Sequence, residues 1–395
     1  MLVNPSNSSF QEIINEGFVD KSGFISYVNS FMDCEENCLC VTRGRRLGKT
    51  VIADMLNAYY SKGSDSKSIF DQLDISKDPE YLEHLNKHDV LYFDMPYYGN
   101  NDKIGDQYLD NLNNAVINAL KAKYPKFFED QDIDDMSDAL SLVAESLNTR
   151  FVVIIDEWDY VFRQYPENTE LHRGFLSLLN YWFKCVFMCS CFSLVYMTGI
   201  FPIWRYADAD TLNNFLELTP DNTARLGQYY GFTEDEVKII CKEHDLNFED
   251  AKIWYKAFRF DGLDIYNPNS VMEFAINKRA RNYLRKTSSM IPVYDCISRD
   301  LDGLQECIIN LIAGKRISFE DVLPPILDPK RFSKKQNVLY YLAQIGYLAF
   351  DEKTLEYFTP NYETKQFLLS ALHRFSEPAY LAALNKSDVR LKPIL

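Results

Sequence analysis

The sequence of 395 residues is short of positive charge. Its 42 lysines and arginines face 57 aspartates and glutamates, which gives a net charge of −15 at pH 7. A chain this acidic does not coat nucleic acid or an anionic membrane through its overall field. A basic segment followed by an apolar stretch is also missing from the start, so no secretory signal is apparent. We therefore expect a cytoplasmic protein whose nine cysteines stay reduced.

Long apolar runs are scarce as well. The best candidate, residues 185–203, has 19 residues without a charge, about the length that crosses a bilayer. Several polar or helix-breaking residues interrupt it, namely Ser190, Ser193, Thr198, Gly199 and Pro202. The segment therefore predicts a buried helix followed by a strand, and no membrane span.

What the chain does have is apolar strands separated by helical segments. Short apolar runs at 38–42, 89–93, 151–156 and 192–198 predict four strands, and helical patterns cover 50–60 and about 103–147. Continuous apolar strands separated by helices favour a mostly parallel sheet sandwiched by helices. The predicted fold class is therefore α/β.

The first predicted strand leads into a loop with four cations. The loop carries Arg43, Gly44, Arg45, Arg46, Leu47, Gly48, Lys49 and Thr50 before a helix. Phosphate binding needs backbone N–H groups at a helix N-terminus, a lysine for the β- and γ-phosphates and a hydroxyl for Mg²⁺. Gly48, Lys49 and Thr50 supply the last part in order. The usual G-x-x-x-x-G-K-[ST] pattern has glycine where this chain has Arg43.

The third predicted strand ends in two carboxylates, Asp156 and Glu157. Ligands bind at the carboxyl ends of strands in an open α/β sheet. We expect Asp156 to hold Mg²⁺ with Thr50, and Glu157 to orient or deprotonate an attacking water. The fourth strand ends at Thr198, whose hydroxyl is a candidate contact for the γ-phosphate or the water. The alternative interpretation of these three residues is that they are ordinary polar side chains at the ends of strands.

Other motifs give weaker signals. A charge-stabilising arginine could be any of Arg173, Arg205 and Arg225, although salt bridges are the more usual role of such residues. C-x-x-x-C-x-C occurs at 34–40 and at 185–191, and neighbouring strands would place Cys40 beside Cys191. Buried free thiols are the commoner outcome of such spacings than a metal site. Basic residues cluster at 278–286 and 330–335. Each cluster is a candidate contact for DNA phosphates, and the alternative is a solvated surface.

The sequence pattern changes in the C-terminal half. Thr233 followed by Glu236 predicts a capping box that opens an amphipathic helix, and 337–361 reads as a helix and a β-hairpin. We therefore predict three parts: an NTPase domain at 1–218, a helical lid at 219–315 and a small winged-helix-like region at 316–395.

Eight segments together resemble the bacterial predicted AAA-ATPase-like family, P-loop proteins often fused to a PD-(D/E)xK-type nuclease domain. They follow the family's order and are FVDKSGFI (18–25), TRGRRLGKT (42–50), IIDEWD (154–159), MTGI (197–200), LNNFLELT (212–219), GFTEDEV (231–237), IYNPNSV (265–271) and YFTPNYETK (357–365). The family loop reads R-P-R-R-F-G-K-[ST], so Arg43 fits it, whereas Gly44 and Leu47 replace Pro and Phe. Only residues 351–353 offer an acidic–lysine group, in a hairpin, and we expect no nuclease activity in this chain.

The resemblance implies an ATPase with ATP and Mg²⁺ as cofactors. The roles carry over residue by residue: Lys49 and the loop bind the phosphates, Thr50 and Asp156 hold the metal, and Glu157 and Thr198 act on the water or the γ-phosphate. The leading hypothesis is an ATPase that uses its nucleotide state as a switch. The alternative is a nucleotide-binding scaffold with little turnover that recruits a separate effector or contacts DNA through its C-terminal region. A second copy of the chain is a further candidate partner, and no membrane is expected.

Overall fold

The computed structural model describes residues 2–99, 105–219, 226–260, 262–284, 291–319, 331–351 and 353–386. The chain divides into two compact units. The first consists of Met1–Arg43 and Gly48–Asn222, and the second of Gly44–Leu47 and Thr223–Leu395. The middle of the glycine- and arginine-containing loop is thus grouped with the second unit.

A five-stranded parallel sheet forms the centre of the first unit. Its strands are β1 (Cys38–Thr42), β2 (Asp89–Asp94), β3 (Phe151–Asp156), β4 (Phe192–Gly199) and β5 (Leu216–Leu218), in the order β2-β3-β4-β1-β5. The four predicted strands are confirmed within a residue at each end. The edge strand β5 is an addition, because its three residues are too short for a periodicity signal.

Helices cover both faces of this sheet. They are α1 (Ser8–Gly17), α2 (Gly23–Asn29), α3 (Lys49–Tyr60), α4 (Lys67–Phe70), α5 (Tyr81–His84), α6 (Tyr108–Lys123), α7 (Met136–Leu147), α8 (Tyr160–Gln164), α9 (Thr169–Lys184) and α10 (Val186–Cys189). Every residue of β1, β3 and β4 is buried, as expected for a sheet packed on both sides. The α/β fold class with a parallel sheet sandwiched by helices is therefore confirmed.

Residue alternation along the strands separates the two faces. On one face Val153 and Ile155 belong to a core that includes residues of α6, α7 and α9. The opposite face packs against α3, and Phe24 of α2 meets Tyr196 of β4 edge-to-face at 6.1 Å. The acidic helical stretch predicted at 103–147 is two helices, α6 and α7. The side chain of Asp135 caps α7 by accepting from the amides of Ser137 and Asp138.

The second unit combines helices with two small antiparallel sheets. Its strands are β6 (Phe232–Thr233), β7 (Lys256–Phe260), β8 (Leu263–Tyr266), β9 (Ile317–Ser318), β10 (Ala349–Asp351) and β11 (Glu356–Phe358). Its helices are α11 (Glu234–Glu243), α12 (Phe248–Tyr255), α13 (Pro268–Asn277), α14 (Ile291–Ser298), α15 (Leu304–Ile312), α16 (Lys335–Gln344), α17 (Tyr362–Phe375) and α18 (Glu377–Lys386). The strand orders are β6-β8-β7 and β10-β11-β9.

Two local predictions for this unit are confirmed. Thr233 and Glu236 form the capping box at the start of α11, with both reciprocal hydrogen bonds present. The segment after residue 337 is α16 followed by the antiparallel pair β10 and β11. The division into a lid and a winged-helix-like region at residue 315 stays a prediction. Glu352, part of the acidic–lysine group, lies outside the described residues.

The cysteine prediction is wrong in its register. Strands β1 and β4 are neighbours, but Cys40 pairs with Met197 and Cys38 with Val195, so Cys191 precedes the paired segment by several residues. All nine cysteines are free thiols. Burial raises the pKa of Cys38 to about 12, with a smaller contribution from Cys189, which keeps this thiol protonated.

Residues 185–203 fold as α10, β4 and the turn that follows. The strand is buried as predicted. The prediction of a buried helix is wrong, because α10 is a single turn that buries only Met188 and leaves Val186 84% and Phe187 55% exposed. Within the described part of the chain, no helix has both the length and the apolar character that a bilayer span requires.

Candidate functional site

Three strands of the first unit end in polar side chains at the same level of the sheet. The parallel registers pair Asp94 of β2 with Asp156 of β3, and Asp156 with Thr198 of β4. In open α/β sheets, ligands bind outside these carboxyl ends. The sheet therefore brings together two predicted site residues, Asp156 and Thr198, and adds Asp94.

Lys49 is the first residue of α3 and is buried. Its Nζ donates a hydrogen bond of 3.0 Å to the carbonyl oxygen of Arg43, at the other end of the loop. Burial lowers the pKa of Lys49 to about 8, against the opposing effect of Asp156, Asp159 and Glu157. The lysine is thus cationic at neutral pH.

Thr50 and Asp156 are joined directly. The Thr50 hydroxyl donates a hydrogen bond of 2.7 Å to Asp156 Oδ2, across 106 positions in the sequence. Burial raises the pKa of Asp156 to about 6, while the Thr50 hydroxyl and the Lys49 charge lower it. Gly48, immediately before α3, has φ of 85°, in the left-handed region that glycine adopts without steric cost.

The donor set around Thr50 fits Mg²⁺. A hydroxyl and a carboxylate are hard oxygen ligands, and Mg²⁺ in proteins is bound by one or two carboxylates together with water and phosphate. In the ranges the structure describes, no three His, Cys, Asp or Glu side chains form a group able to hold a metal ion. An ion at Thr50 and Asp156 would therefore take its other ligands from water and a phosphate ligand.

Glu157 has an unusual backbone for a non-glycine residue. Its φ is 56°, and such left-handed residues are concentrated at functional sites. The Glu157 amide donates to Asp156 Oδ1 at 3.0 Å, which fixes the turn. The side chain is partly exposed, and its Oε2 accepts a hydrogen bond of 2.6 Å from Arg163.

Arg43 serves the sheet through its side chain. The guanidinium is fully buried, and its Nη1 donates to the carbonyl oxygens of Thr42 at 2.8 Å and Leu218 at 2.7 Å. It thereby ties β1 to the edge strand β5. Arg43 contributes its carbonyl, the Lys49 acceptor, to the geometry of the loop.

Residues Gly44–Leu47 pack within the second unit. The carbonyl of Leu47 accepts from the amide of Gly231 at 3.0 Å, and its buried side chain clusters with Ile265. Arg45 and Arg46 line a cavity of about 10 Å³, about one water in size, together with Tyr347 and others. Burial lowers the pKa of Arg46, and Tyr347 and Glu363 oppose that effect.

Thr198 stands out by its burial. It is fully buried, and its hydroxyl has no hydrogen-bond partner among the described residues. Such a group costs free energy unless a ligand or water satisfies it. The next residue, Gly199, leaves no room for a side chain, because an added Cβ would lie 2.5 Å from Trp158 and 2.8 Å from Asp159 Oδ1.

The sequence reading missed two further carboxylates near Asp156. Asp94 ends β2 as Asp156 ends β3, and the run DVLYFD repeats the pattern of FVVIID, a signal that was available. Burial raises the pKa of Asp94, with a smaller effect from Glu157. Asp54 of α3 accepts from the Tyr92 hydroxyl at 3.0 Å, and burial raises its pKa to about 6. No sequence pattern marks Asp54 out.

The other predicted residues are less informative. Arg173 is exposed on α9, Arg205 ends a short 3₁₀ turn, and Arg225 lies outside the described residues. Part of each basic cluster is also outside them, namely Arg285, Lys286 and Lys330. In the first cluster Arg281 donates to Asn277 at 3.0 Å, and in the second Lys335 lies 3.8 Å from a carboxylate oxygen of Asp302.

A parallel sheet with acidic strand ends, and with a loop that leads into Lys49 at the start of α3, defines a protein of the P-loop NTPase class. The chain belongs to the AAA-ATPase-like family, described as predicted AAA-ATPase, whose model matches residues 6–207, just over half of the sequence. It is thus an AAA-ATPase-like protein of the nucleotide-binding kind. The match covers most of the first unit and includes the loop residues 43–50, Asp156, Glu157 and Thr198.

Solved structures show only low similarity. The ORC2 protein of Aeropyrum pernix, in ADPNP–ADP complexes, is 11% identical with a TM-score of 0.36, covering 92% of this chain and 93% of that one. The STAND protein PH0952 of Pyrococcus horikoshii, with a tetratricopeptide repeat sensor, is 10% identical with a TM-score of 0.27, covering 93% and 47%. Cdc6p of Pyrobaculum aerophilum is 12% identical with a TM-score of 0.26, covering 86% and 88%. Comparison with curated proteins gives no match.

Proposed function

We propose that the chain binds ATP with Mg²⁺ and hydrolyses it, and that its nucleotide state acts as a switch. The observation that carries the proposal is the hydrogen bond between Thr50 and Asp156, with the buried ammonium of Lys49 at the start of the same helix. A hydroxyl, a carboxylate and a lysine in this arrangement are the elements that bind Mg²⁺ and the β- and γ-phosphates.

Each residue has a distinct role in this proposal. Lys49 exchanges the Arg43 carbonyl for phosphate oxygens, and the loop amides bind the remaining phosphate charge. Thr50 and Asp156 hold Mg²⁺, which supplies charge neutralisation at the phosphates. Glu157 accepts a proton from a water whose oxygen attacks the γ-phosphorus, and ADP leaves. Thr198, whose hydroxyl is buried at the end of β4, donates to the water or to a γ-phosphate oxygen.

Binding and turnover are tested separately. Lys49→Ala removes the ammonium that balances the phosphate charge, so calorimetry should detect no tight ATP binding, with Lys126→Ala as an exposed-lysine control in the same unit. Unchanged affinity in Lys49→Ala would refute the site.

Glu157→Gln should keep ATP affinity and slow steady-state phosphate release by about 10²–10⁴-fold, the usual contribution of a general base. A fully active variant would remove Glu157 from the mechanism. The release assay is run with and without DNA. Wild-type protein that binds ATP but releases no phosphate in either condition would favour the scaffold alternative.

For the second unit we propose a helical lid up to residue 315 and a winged-helix-like region from 316. The candidate partners are a second copy of the chain, a separately encoded effector, or DNA at the basic clusters. Electrostatic contacts to DNA phosphates weaken steeply with salt, so binding that is insensitive to salt would count against the DNA contact.

A further inference from the structure

Arg163 of α8 connects the two carboxylates that follow β3. Its Nη2 donates to Glu157 Oε2 at 2.6 Å, and its Nε donates to Asp159 Oδ2 at 3.0 Å. One guanidinium therefore bonds two acidic residues that are two positions apart. Its planar fork holds both acceptors in a fixed geometry, which the single ammonium of a lysine does not do.

The Arg163 guanidinium is itself held in place. The side chain is 15% exposed, and that of Asp159 is fully buried. Asp159 Oδ2 also accepts from the amides of Ile200 at 3.2 Å and Phe201 at 3.0 Å. The donor that reaches Glu157 is thus anchored to backbone that follows β4, and it has little freedom to turn.

We propose that Arg163 is a positioning residue that holds the Glu157 carboxylate in its working orientation at the end of β3. This inference rests on the proposed ATPase function and adds a residue to the same site. The side chain of Glu157 is partly exposed, so burial does not fix its direction. A rigid donor at 2.6 Å removes that freedom before substrate binds, which is how preorganisation lowers a reaction barrier.

The same contacts connect Glu157 with Thr198. Ile200 and Phe201, which donate to Asp159, come directly after the strand end that carries Thr198 and Gly199. The chain of contacts runs from this strand end through Asp159 and Arg163 to Glu157. The contacts that hold the proposed base are therefore anchored just after the strand end that carries the buried hydroxyl.

The first test is the kinetics of Arg163→Ala. Misplacement of a reacting group by about 1 Å costs about 100-fold, so we expect kcat for phosphate release to fall about 10–100-fold while KM for ATP stays within about threefold. Arg163→Lys keeps the charge but loses the fork, and its kcat should lie between those of Arg163→Ala and the wild type. In a Glu157→Gln background, Arg163→Ala should cause no further loss.

Arg150→Ala is the matched control. Arg150 also forms an ion pair with an aspartate, Asp33 at 2.6 Å, and donates hydrogen bonds to backbone carbonyls. It precedes β3, however, and so lies at the end of this strand opposite to Glu157. A comparable loss of kcat in Arg150→Ala would mean that the effect of Arg163→Ala is a general loss of stability, and would overturn the proposal. The proposal would also be overturned if Glu157→Gln is slow but the kcat of Arg163→Ala equals or exceeds that of the wild type.

A second measurement does not need turnover. Thermal unfolding of the two single variants and the double variant forms a double-mutant cycle. The variants are Arg163→Ala and Glu157→Ala, because glutamine would keep an oxygen that accepts from Arg163. If Arg163 holds Glu157, the two single Tm shifts should add up to more than the shift of the double variant, and fully additive shifts would overturn the contact. Wild-type protein without phosphate release would instead refute the ATPase proposal, whatever this cycle shows.

Discussion

Asp156 is buried in a place that favours its neutral form, so Asp156→Asn should stabilise the nucleotide-free protein. Burial raises the pKa of Asp156 from 3.8 to about 6. At 1.36 kcal/mol per pKa unit, this corresponds to a cost of about 3 kcal/mol for the ionised group in the folded state. Asparagine keeps the local hydrogen bonds, because its oxygen can accept from the Glu157 amide while its nitrogen donates to the Thr50 hydroxyl.

The direction in which the stability gain changes with pH follows from proton binding to Asp156. The folded state binds a proton to Asp156 more tightly than the unfolded chain does, so the cost is complete above pH 6 and disappears as the pH falls below about 4. The shift already includes the attraction of Lys49, which lowers the pKa of Asp156 and so reduces this cost. We therefore expect a gain of about 1–3 kcal/mol at pH 8, roughly halved at pH 5.

The assay is urea unfolding followed by tryptophan fluorescence, since Trp158 and Trp182 are both buried in the first unit. Magnesium-dependent phosphate release is measured on the same samples and should be lost. The variant would thus gain stability as it loses function, which is the expected behaviour of a carboxylate kept for a ligand.

Asp89→Asn provides a control in which we expect stability to change in the opposite direction. Asp89 is also buried, at the start of β2, but hydrogen bonds from Lys62 at 2.6 Å, Asn4 at 3.1 Å and Tyr124 at 3.1 Å outweigh burial and lower its pKa. Replacing it should destabilise the protein by about 1–3 kcal/mol. If Asp156→Asn destabilises the protein as much as Asp89→Asn at pH 8, the reasoning about Asp156 is refuted.

Two further predictions concern other buried positions. Gly199→Ala would force its Cβ to within 2.8 Å of Trp158 and Asp159, so thermal unfolding should show a loss of about 1–3 kcal/mol, and a wild-type Tm would contradict the packing. Glu363 accepts from the amides of Tyr283 and Leu284 on one oxygen and from Ser270 on the other, and burial raises its pKa to about 7. Glu363→Gln preserves these bonds and should flatten the fall in stability as pH rises through 7, measured by urea unfolding at pH 6 and 8, whereas an unchanged pH slope would contradict the assignment.

The sheet was predictable because its strands are continuous apolar runs that end in polar residues. FVVIID and the glycine–lysine–threonine at the start of α3 mark Lys49, Thr50 and Asp156 as candidate site residues from the sequence alone, because each lies at the boundary of a regular element. Asp94 was open to the same reasoning but was passed over.

The contacts of Arg163 and Asp159 could not be predicted from the sequence in this way. Their importance depends on a guanidinium reaching back over six positions and on amides from another strand, and neither leaves a periodic pattern. The Cys40 prediction failed for a related reason. Strands β1 and β4 are neighbours, but their register depends on which side chains pack against each other, and cysteine spacing alone does not fix it.

The grouping of Gly44–Leu47 with the second unit determines how the chain can be cut. A fragment that ends with the family match at residue 207 retains Lys49, Thr50, Asp156 and Glu157, yet it leaves the buried side chain of Leu47 and its carbonyl without Ile265 and Gly231. Such a fragment exposes an apolar side chain in the middle of the proposed phosphate-binding loop. Nucleotide affinities measured on it would describe a different loop from that of the full chain.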